Sequence, residues 1–148
     1  MRATALLDVN VLLALFDPDH VHHDIAHDWF AESPGDWASC PTTENAFLRA
    51  ANVAAQKGEF VPTAGLIDRL QRFRAAGRHE FWTDDVSLLD DSRFDARHIH
   101  GNRQITDAYL LALAVAHRAL LVTFDSRIGL AAVKGARPEN LVVLAPSA

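Results

Sequence analysis

The chain has 148 residues, of which 49% are hydrophobic, and its nineteen acidic and fourteen basic residues give a formal net charge of −5. This length and composition allow one sizeable core without disulfides, so we expect a single domain over residues 1–148. The acidic balance excludes broad, unspecific attraction to nucleic acid, although not nucleic acid as a substrate, and the lone Cys40 excludes an internal disulfide.

The first half of the chain alternates between strand-like and helix-like segments. In chain order, the pattern predicts a strand at 3–7, a helix at 9–16, a helix at 20–32 closed by Pro34 and Gly35, and a strand at 37–40. Asp8 ends the first strand, and this early charge also interrupts the apolar N-terminus before it could serve as a secretory segment. We therefore expect a cytoplasmic protein.

The second half continues the alternation. The predicted segments are a helix from Pro41 towards Gly58, a helix at 63–76, a strand at 80–83, a helix from Thr106 to Arg118, and strands at 120–124 and 141–144. Thr106 is predicted as an N-cap, which places Asp107 in the first turn of its helix. The longest apolar stretch, 108–116, is well short of the roughly 20 residues that a membrane-spanning helix requires. Residues 84–103 are polar and receive no assignment.

Alternating strands and helices imply right-handed crossovers and a parallel sheet with helices on both faces, which is an α/β fold. The carboxyl ends of parallel strands share one edge of the sheet, so acids far apart in sequence can meet there. Four acids stand where a strand is predicted to end or a helix to begin, namely Asp8, Glu44, Asp107 and Asp125.

Converging carboxylates need a positive partner. Two like charges 4 Å apart repel by roughly 4 kcal/mol at an effective dielectric constant near 20, whereas a helix N-terminus offers only about 0.3–1 kcal/mol of stabilisation. Mg²⁺ or Mn²⁺ is the predicted partner, because hard cations prefer carboxylate oxygens and the sequence has no cysteine cluster. The alternative is that each acid is an ordinary helix cap.

Four short motifs resemble the PIN domain family of metal-dependent ribonucleases, and more closely its VapC-type toxins. They are Leu6-Leu7-Asp8-Val9-Asn10, Thr43-Glu44-Asn45-Ala46, Thr106-Asp107-Ala108-Tyr109-Leu110 and Thr123-Phe124-Asp125. The resemblance implies a three-layer α/β/α sandwich, endonucleolytic cleavage of RNA, a homodimer and a small VapB-like antitoxin partner. It also implies that the acidic quartet is catalytic and binds metal, with Asn10 and Thr123 as accompanying polar residues.

On this hypothesis, one or two ions orient a water molecule for in-line attack on a phosphodiester. Asp8, Glu44 and Asp107 would provide most of the metal contact, and Asp125 would bind directly or through water. The sequence leaves open which RNA is cleaved, how many ions bind and which antitoxin pairs with the chain.

Three other groups have both a functional and an ordinary interpretation. Arg97 and Arg103 could contact RNA phosphates or belong to a solvated loop. A shared helix face of His20, His23 and His27 could bind zinc or be merely exposed. A run of acids, Asp84, Asp85, Asp90 and Asp91, could approach the metal or form a solvated loop.

Two other function classes place an acid after the first strand. A haloacid-dehalogenase-like phosphatase would need a second Asp where this chain has Asn10, and both it and a receiver domain use a lysine after a later strand. Lys57 and Lys134 do not directly follow a clear strand, which disfavours this phosphoryl-transfer class. The other alternative is a non-catalytic PIN-like module that binds RNA or a protein partner.

Overall fold

The computed structural model describes residues 3–33, 35–55 and 62–145. Its helices and strands are, in chain order, β1 (Ala5–Leu7), α1 (Val9–Phe16), α2 (His23–Glu32), β2 (Trp37–Ser39), α3 (Pro41–Ala55), α4 (Thr63–Ala76), β3 (His79–Phe81), α5 (Ile105–Ala116), β4 (Leu120–Thr123) and β5 (Leu141–Val143). Short 3₁₀ turns lie at Ala96–His98, Asn102–Gln104, Leu130–Ala132 and Pro138–Asn140. Across the described ranges, no helix is long and apolar enough to cross a membrane.

The strands form one sheet in the order β3-β2-β1-β4-β5, and every neighbouring pair is parallel. β1 lies in the middle, with Leu6 opposite Ala38 of β2 and Leu121 of β4. The carboxyl ends of these three central strands are therefore neighbours at one edge. The predicted α/β fold with a parallel sheet is confirmed.

Helices cover both faces of the sheet, because successive side chains of a strand point to opposite sides. Leu6 and Leu121 belong to the core under α5, whereas Leu7 and Val122 belong to the core on the opposite face. The second core is completed by residues of α1 to α4, including Val11, Leu12, Ala26, Phe47 and Leu70. The result is the three-layer α/β/α arrangement, in which α5 covers one face of the sheet and α1 to α4 cover the other.

Several predicted boundaries are confirmed and others are wrong. The bounds of α1 and α4 agree with the prediction. α2 begins at His23 instead of residue 20, because the preceding turn is held by hydrogen bonds from the Asp19 amide to the Asp17 carboxylate and from the His20 amide to the Asp17 carbonyl. The predicted helix ends at Pro34 and Gly58 lie outside the described residues.

The start of α5 also differs from the prediction. The helix begins at Ile105 after a 3₁₀ turn, and its N-cap residue is Gln104, so Thr106 lies inside the first turn. The prediction that Thr106 is the N-cap is wrong, because the 3₁₀ turn already curves the backbone into the helix. Asp107 nevertheless lies in the first turn, as expected. Residues 84–103, which received no assignment from the sequence, are held partly by an antiparallel β-bridge between Phe94 and Val133.

Candidate metal centre

Asp8 joins the central strand to the first helix. It follows β1 directly and is the N-cap of α1, where its carboxylate accepts a hydrogen bond of 2.7 Å from the Val9 amide. Its other oxygen accepts one of 2.8 Å from the hydroxyl of Thr123, at the end of β4. Asp8 is only 5% exposed, and burial raises its pKa above the ordinary value, with a smaller contribution from Asp125.

Asp107 brings a second carboxyl group to the same edge. Burial, followed by the negative charges of Asp8 and Asp125, raises the pKa of Asp107 to about 6. These three acids are thus close enough for their charges to interact. Asp107 and Asp125 also line a cavity of about 140 Å³, whose other lining residues are His100, Arg103, Gln104 and Arg127.

Asp125 is held by an arginine that the sequence interpretation missed. Arg127 donates to one carboxylate oxygen through Nε at 3.0 Å and to the other through a terminal nitrogen at 3.2 Å, and these bonds lower the pKa of Asp125. The Asp125 amide donates to the hydroxyl of Thr123, which therefore links Asp125 to Asp8. The signal for Arg127 was available in the sequence, because an Asp often binds the backbone amide two residues later, as Asp125 binds the amide of Arg127.

Glu44 lies in the first turn of α3, beyond the neighbouring strand β2, and its carboxylate has other partners. One oxygen accepts a hydrogen bond of 2.6 Å from the hydroxyl of Ser39 and lies 3.2 Å from a terminal nitrogen of Arg74. The charge coupling described above therefore involves three acids of the predicted quartet, while Glu44 is neutralised by an arginine. Asn10 is exposed in the first turn of α1.

The chemistry of the acidic groups suits a hard divalent cation, but the side chains are not closed around one. Within the described residues, no group of three or more His, Cys, Asp or Glu side chains is arranged to hold a metal ion. Two of the four acids, Glu44 and Asp125, are bound to arginines. The pKa values of Asp8 and Asp107 are raised by burial first and by neighbouring acids second, and a cation beside them would favour their charged forms. The metal-binding role of the quartet stays a prediction.

Comparison with known proteins identifies the family. The PIN domain model matches residues 5–135. The chain belongs to the PIN domain family. It is 47% identical over 141 residues to Ribonuclease VapC44 of Mycobacterium tuberculosis, covering 95% of this chain and 99% of that protein. It is also 43% identical to Ribonuclease VapC38 of the same organism, over 95% of this chain and 96% of that protein.

A solved structure is also similar to this PIN domain. It is a toxin-antitoxin complex from Klebsiella pneumoniae, matched with a TM-score of 0.56 at 22% identity over 94% of this chain and 96% of that chain. At this identity the likeness concerns the fold alone. The resemblance to VapC-type PIN domains noted in the sequence is confirmed by the relatives, and it leaves no support for the phosphatase or receiver alternative.

The other predicted sites of this PIN domain separate clearly in space. Arg103 lines the cavity with Asp107 and Asp125. Arg97 is bound through its guanidinium to Asp95 at 2.9 Å and lines a different cavity. Lys134 donates to the Asp91 backbone carbonyl at 2.6 Å.

The predicted histidine face of the PIN domain is wrong, because α2 starts too late to include His20. His23 and His27 have ring centroids 5.8 Å apart, and Nδ1 of His23 lies 2.6 Å from the Ala14 carbonyl oxygen. His20 instead lies near His22, whose ring stacks on Phe124.

The acidic run has structural partners or faces solvent. Asp84 accepts hydrogen bonds from the amide and hydroxyl of Thr42 at the start of α3. Asp90 accepts from the amide and hydroxyl of Ser92, and Asp85 and Asp91 are exposed.

The raised pKa of Asp107 predicts a pH effect on the metal-free PIN domain. The folded state holds this proton more tightly than the unfolded chain, so its stabilising contribution is complete below about pH 3.8 and is lost as the pH rises through about 6. Asp107→Asn removes this loss. In EDTA, the Tm of the variant minus that of the unsubstituted protein should therefore increase from pH 5 to pH 7.5. A difference that stays constant over this interval would contradict the raised pKa of Asp107.

Proposed function

We propose that this chain is a VapC-type endoribonuclease, the toxin of a toxin-antitoxin pair, and that it cleaves RNA with Mg²⁺ or Mn²⁺. The relatives named as VapC ribonucleases match nearly the whole chain, which supports the ribonuclease activity. The observation that supports the metal dependence is the buried Asp8 at the same edge as Asp107 and Asp125, where burial first and neighbouring negative charge second raise the pKa of Asp8 and of Asp107.

Each polar group at this edge of the sheet has a proposed task. A bound divalent ion would supply Lewis acidity and lower the pKa of water. Asp8 and Asp107 would hold it, with Glu44 and Asp125 as further oxygen donors. Thr123 fixes the orientation of Asp8 through its hydroxyl, in the manner of groups that support metal ligands in proteins. Asn10 would assist from the first turn of α1.

The cavity beside the acids is the proposed entry for the RNA backbone. Arg103 and Arg127 line it together with Asp107 and Asp125. Guanidinium groups form hydrogen bonds with phosphate oxygens, which position nucleic acid without reading its sequence. We place Arg103 and Arg127 ahead of Arg97 for this role, because they line the cavity beside Asp107 and Asp125 whereas Arg97 lines a different cavity.

Partners follow from the same proposal. A small antitoxin protein would restrain the nuclease, as the resemblance of this chain to VapC-type toxins implies. A homodimer could use α3 and α4, which expose the large apolar side chains of Val53 and Ile67. The antitoxin complex and the homodimer are two separate proposals.

Metal removal tests the proposed reaction. The purified protein should cleave single-stranded RNA with Mg²⁺ or Mn²⁺, lose cleavage in excess EDTA and regain it when the ion is restored, because the carboxylates alone cannot neutralise the charge that develops on the phosphodiester. RNA cleavage is followed on denaturing gels. In a parallel assay, release of phosphate from a generic phosphomonoester is measured.

Three outcomes of this assay are informative. RNA cleavage without release of phosphate from the monoester supports the proposal. Cleavage that persists in EDTA contradicts the metal dependence. Binding of RNA without cleavage in either ion would favour the non-catalytic PIN-like module.

A further inference from the structure

Four polar side chains on different elements, one of them Glu44, form a closed ring of contacts. They are Ser39 at the end of β2, Glu44 on α3, Arg74 on α4 and His79 at the start of β3. Ser39 Oγ lies 2.6 Å from Glu44 Oε2 and 2.7 Å from His79 Nε2. Arg74 completes the ring, with Nε donating to His79 Nδ1 at 3.3 Å and a terminal nitrogen 3.2 Å from Glu44 Oε2.

The protons in this ring can be assigned in one direction. Burial, followed by the charge of Arg74, lowers the pKa of His79 to about 4, so the His79 imidazole is neutral near pH 7. Because Nδ1 of His79 accepts from Arg74, we assign the single N–H proton of the imidazole to Nε2, which donates to the hydroxyl oxygen of Ser39. The Ser39 hydroxyl proton is then free to donate to Glu44. With this assignment, each of the four contacts joins one donor to one acceptor.

The packing around the ring restricts its movement. Ser39 is fully buried, and a buried hydroxyl without partners would cost free energy. The indole of Trp37 packs against His79 with ring centroids 4.4 Å apart, and the Arg74 guanidinium lies 5.3 Å from the centre of the Phe81 ring. Arg74 and His79 are thus fixed by contacts that do not involve Glu44.

Both contacts to Glu44 use the same oxygen. Oε2 accepts from Ser39 and pairs with Arg74, so the carboxylate is held from one side. A glutamate held in this way loses less side-chain entropy when its second oxygen binds a ligand. The ring therefore resembles the outer groups that orient ligands in metal sites.

We propose that Arg74, His79 and Ser39 are positioning residues, which hold the Glu44 carboxylate through Oε2 and leave Oε1 available to the divalent ion. This inference rests on the proposed metal-dependent ribonuclease. The opposite possibility is that Arg74 withholds Glu44 from the ion, in which case removing Arg74 would strengthen metal binding.

Calorimetric titration of the full chain with Mn²⁺, without RNA, tests the proposal. Arg74→Gln should weaken Mn²⁺ binding about 10-fold, because loss of a group that orients a metal ligand typically costs 10- to 100-fold. Arg74→Lys keeps the charge but loses the two-sided contact, and should recover part of the affinity. The matched control is Arg72→Gln, two residues away on α4, where the side chain is 78% exposed and pairs with Asp68. The control should bind Mn²⁺ like the unsubstituted chain.

A second variant keeps the proposal testable if Arg74→Gln does not fold. Ser39→Ala removes one hydroxyl from the ring without adding volume, and should also weaken Mn²⁺ binding. RNA cleavage by the same variants should fall in proportion at subsaturating Mn²⁺ and recover at high Mn²⁺, which a purely structural defect would not do.

Each outcome decides for or against the ring. Unchanged Mn²⁺ affinity with a lowered Tm would reduce the ring to a structural role, and tighter binding by Arg74→Gln would show that Arg74 opposes the ion. Either result overturns the inference while leaving the ribonuclease intact. If the unsubstituted chain neither binds Mn²⁺ nor cleaves RNA, the proposed function fails first, and the positioning role fails with it.

Discussion

Asp8→Asn is expected to reduce RNA cleavage by at least about 100-fold, since even a group that only supports a metal ligand typically contributes 10- to 100-fold. Asparagine has nearly the same shape, and its single carbonyl oxygen can still accept from the Val9 amide, whereas its NH2 group would donate to the Thr123 hydroxyl oxygen instead of accepting from it. It lacks the negative charge that would hold the ion. Because burial already raises the pKa of Asp8, the neutral replacement should keep or increase the Tm of the metal-free protein.

The control for Asp8→Asn is the same substitution at Asp24, an exposed acid in the first turn of α2. Cleavage is measured at saturating Mg²⁺ and at several RNA concentrations, and folding is checked by circular dichroism. Asp24→Asn should cleave at the normal rate. A folded Asp8→Asn protein with normal cleavage would rule out Asp8 as a metal ligand.

Leu111→Ala is expected to lower the free energy of unfolding by about 2–5 kcal/mol, the usual range for a leucine removed from a packed core. Leu111 is fully buried on α5, in the core between this helix and the sheet. The same helix carries Asp107 one turn earlier. A loosened α5 should therefore also weaken the charge coupling between Asp107 and Asp8.

Urea denaturation provides the measurement, with Leu89→Ala as the matched control. Leu89 is 95% exposed, so its loss should change stability by no more than about 0.5 kcal/mol. A change at Leu111 as small as that at Leu89 would mean that α5 is not packed as the structure describes. Comparing the slopes of the two transitions separates a change in stability from a change in the unfolded state.

The parts of the fold that follow from local sequence were predictable. Alternating apolar segments gave the parallel sheet, and sharp breaks gave the bounds of α1 and α4. Asp8 was recognisable because it directly follows a strand, whereas Thr123 was named through the resemblance to PIN domains, and the sheet topology brings the two within hydrogen-bonding distance.

The parts that depend on tertiary contacts were not predictable. Arg74 lies thirty residues after Glu44, and the packing of α4 against α3 brings its side chain to that carboxylate. No local pattern encodes such a pair. His79 was likewise overlooked, because the predicted strand began one residue later, at Glu80. Local hydrogen bonds decided the start of α2, which removed His20 from the predicted histidine face.

The two arginines bound to Glu44 and Asp125 have a consequence for biosynthesis. Because each supplies a tethered counter-charge, neither of these two carboxylates needs an ion from solution to balance its charge while the chain folds. We expect the chain to fold as it leaves the ribosome even when divalent ions are scarce, and occupation of the proposed metal site to be a later event set by the supply of the ion.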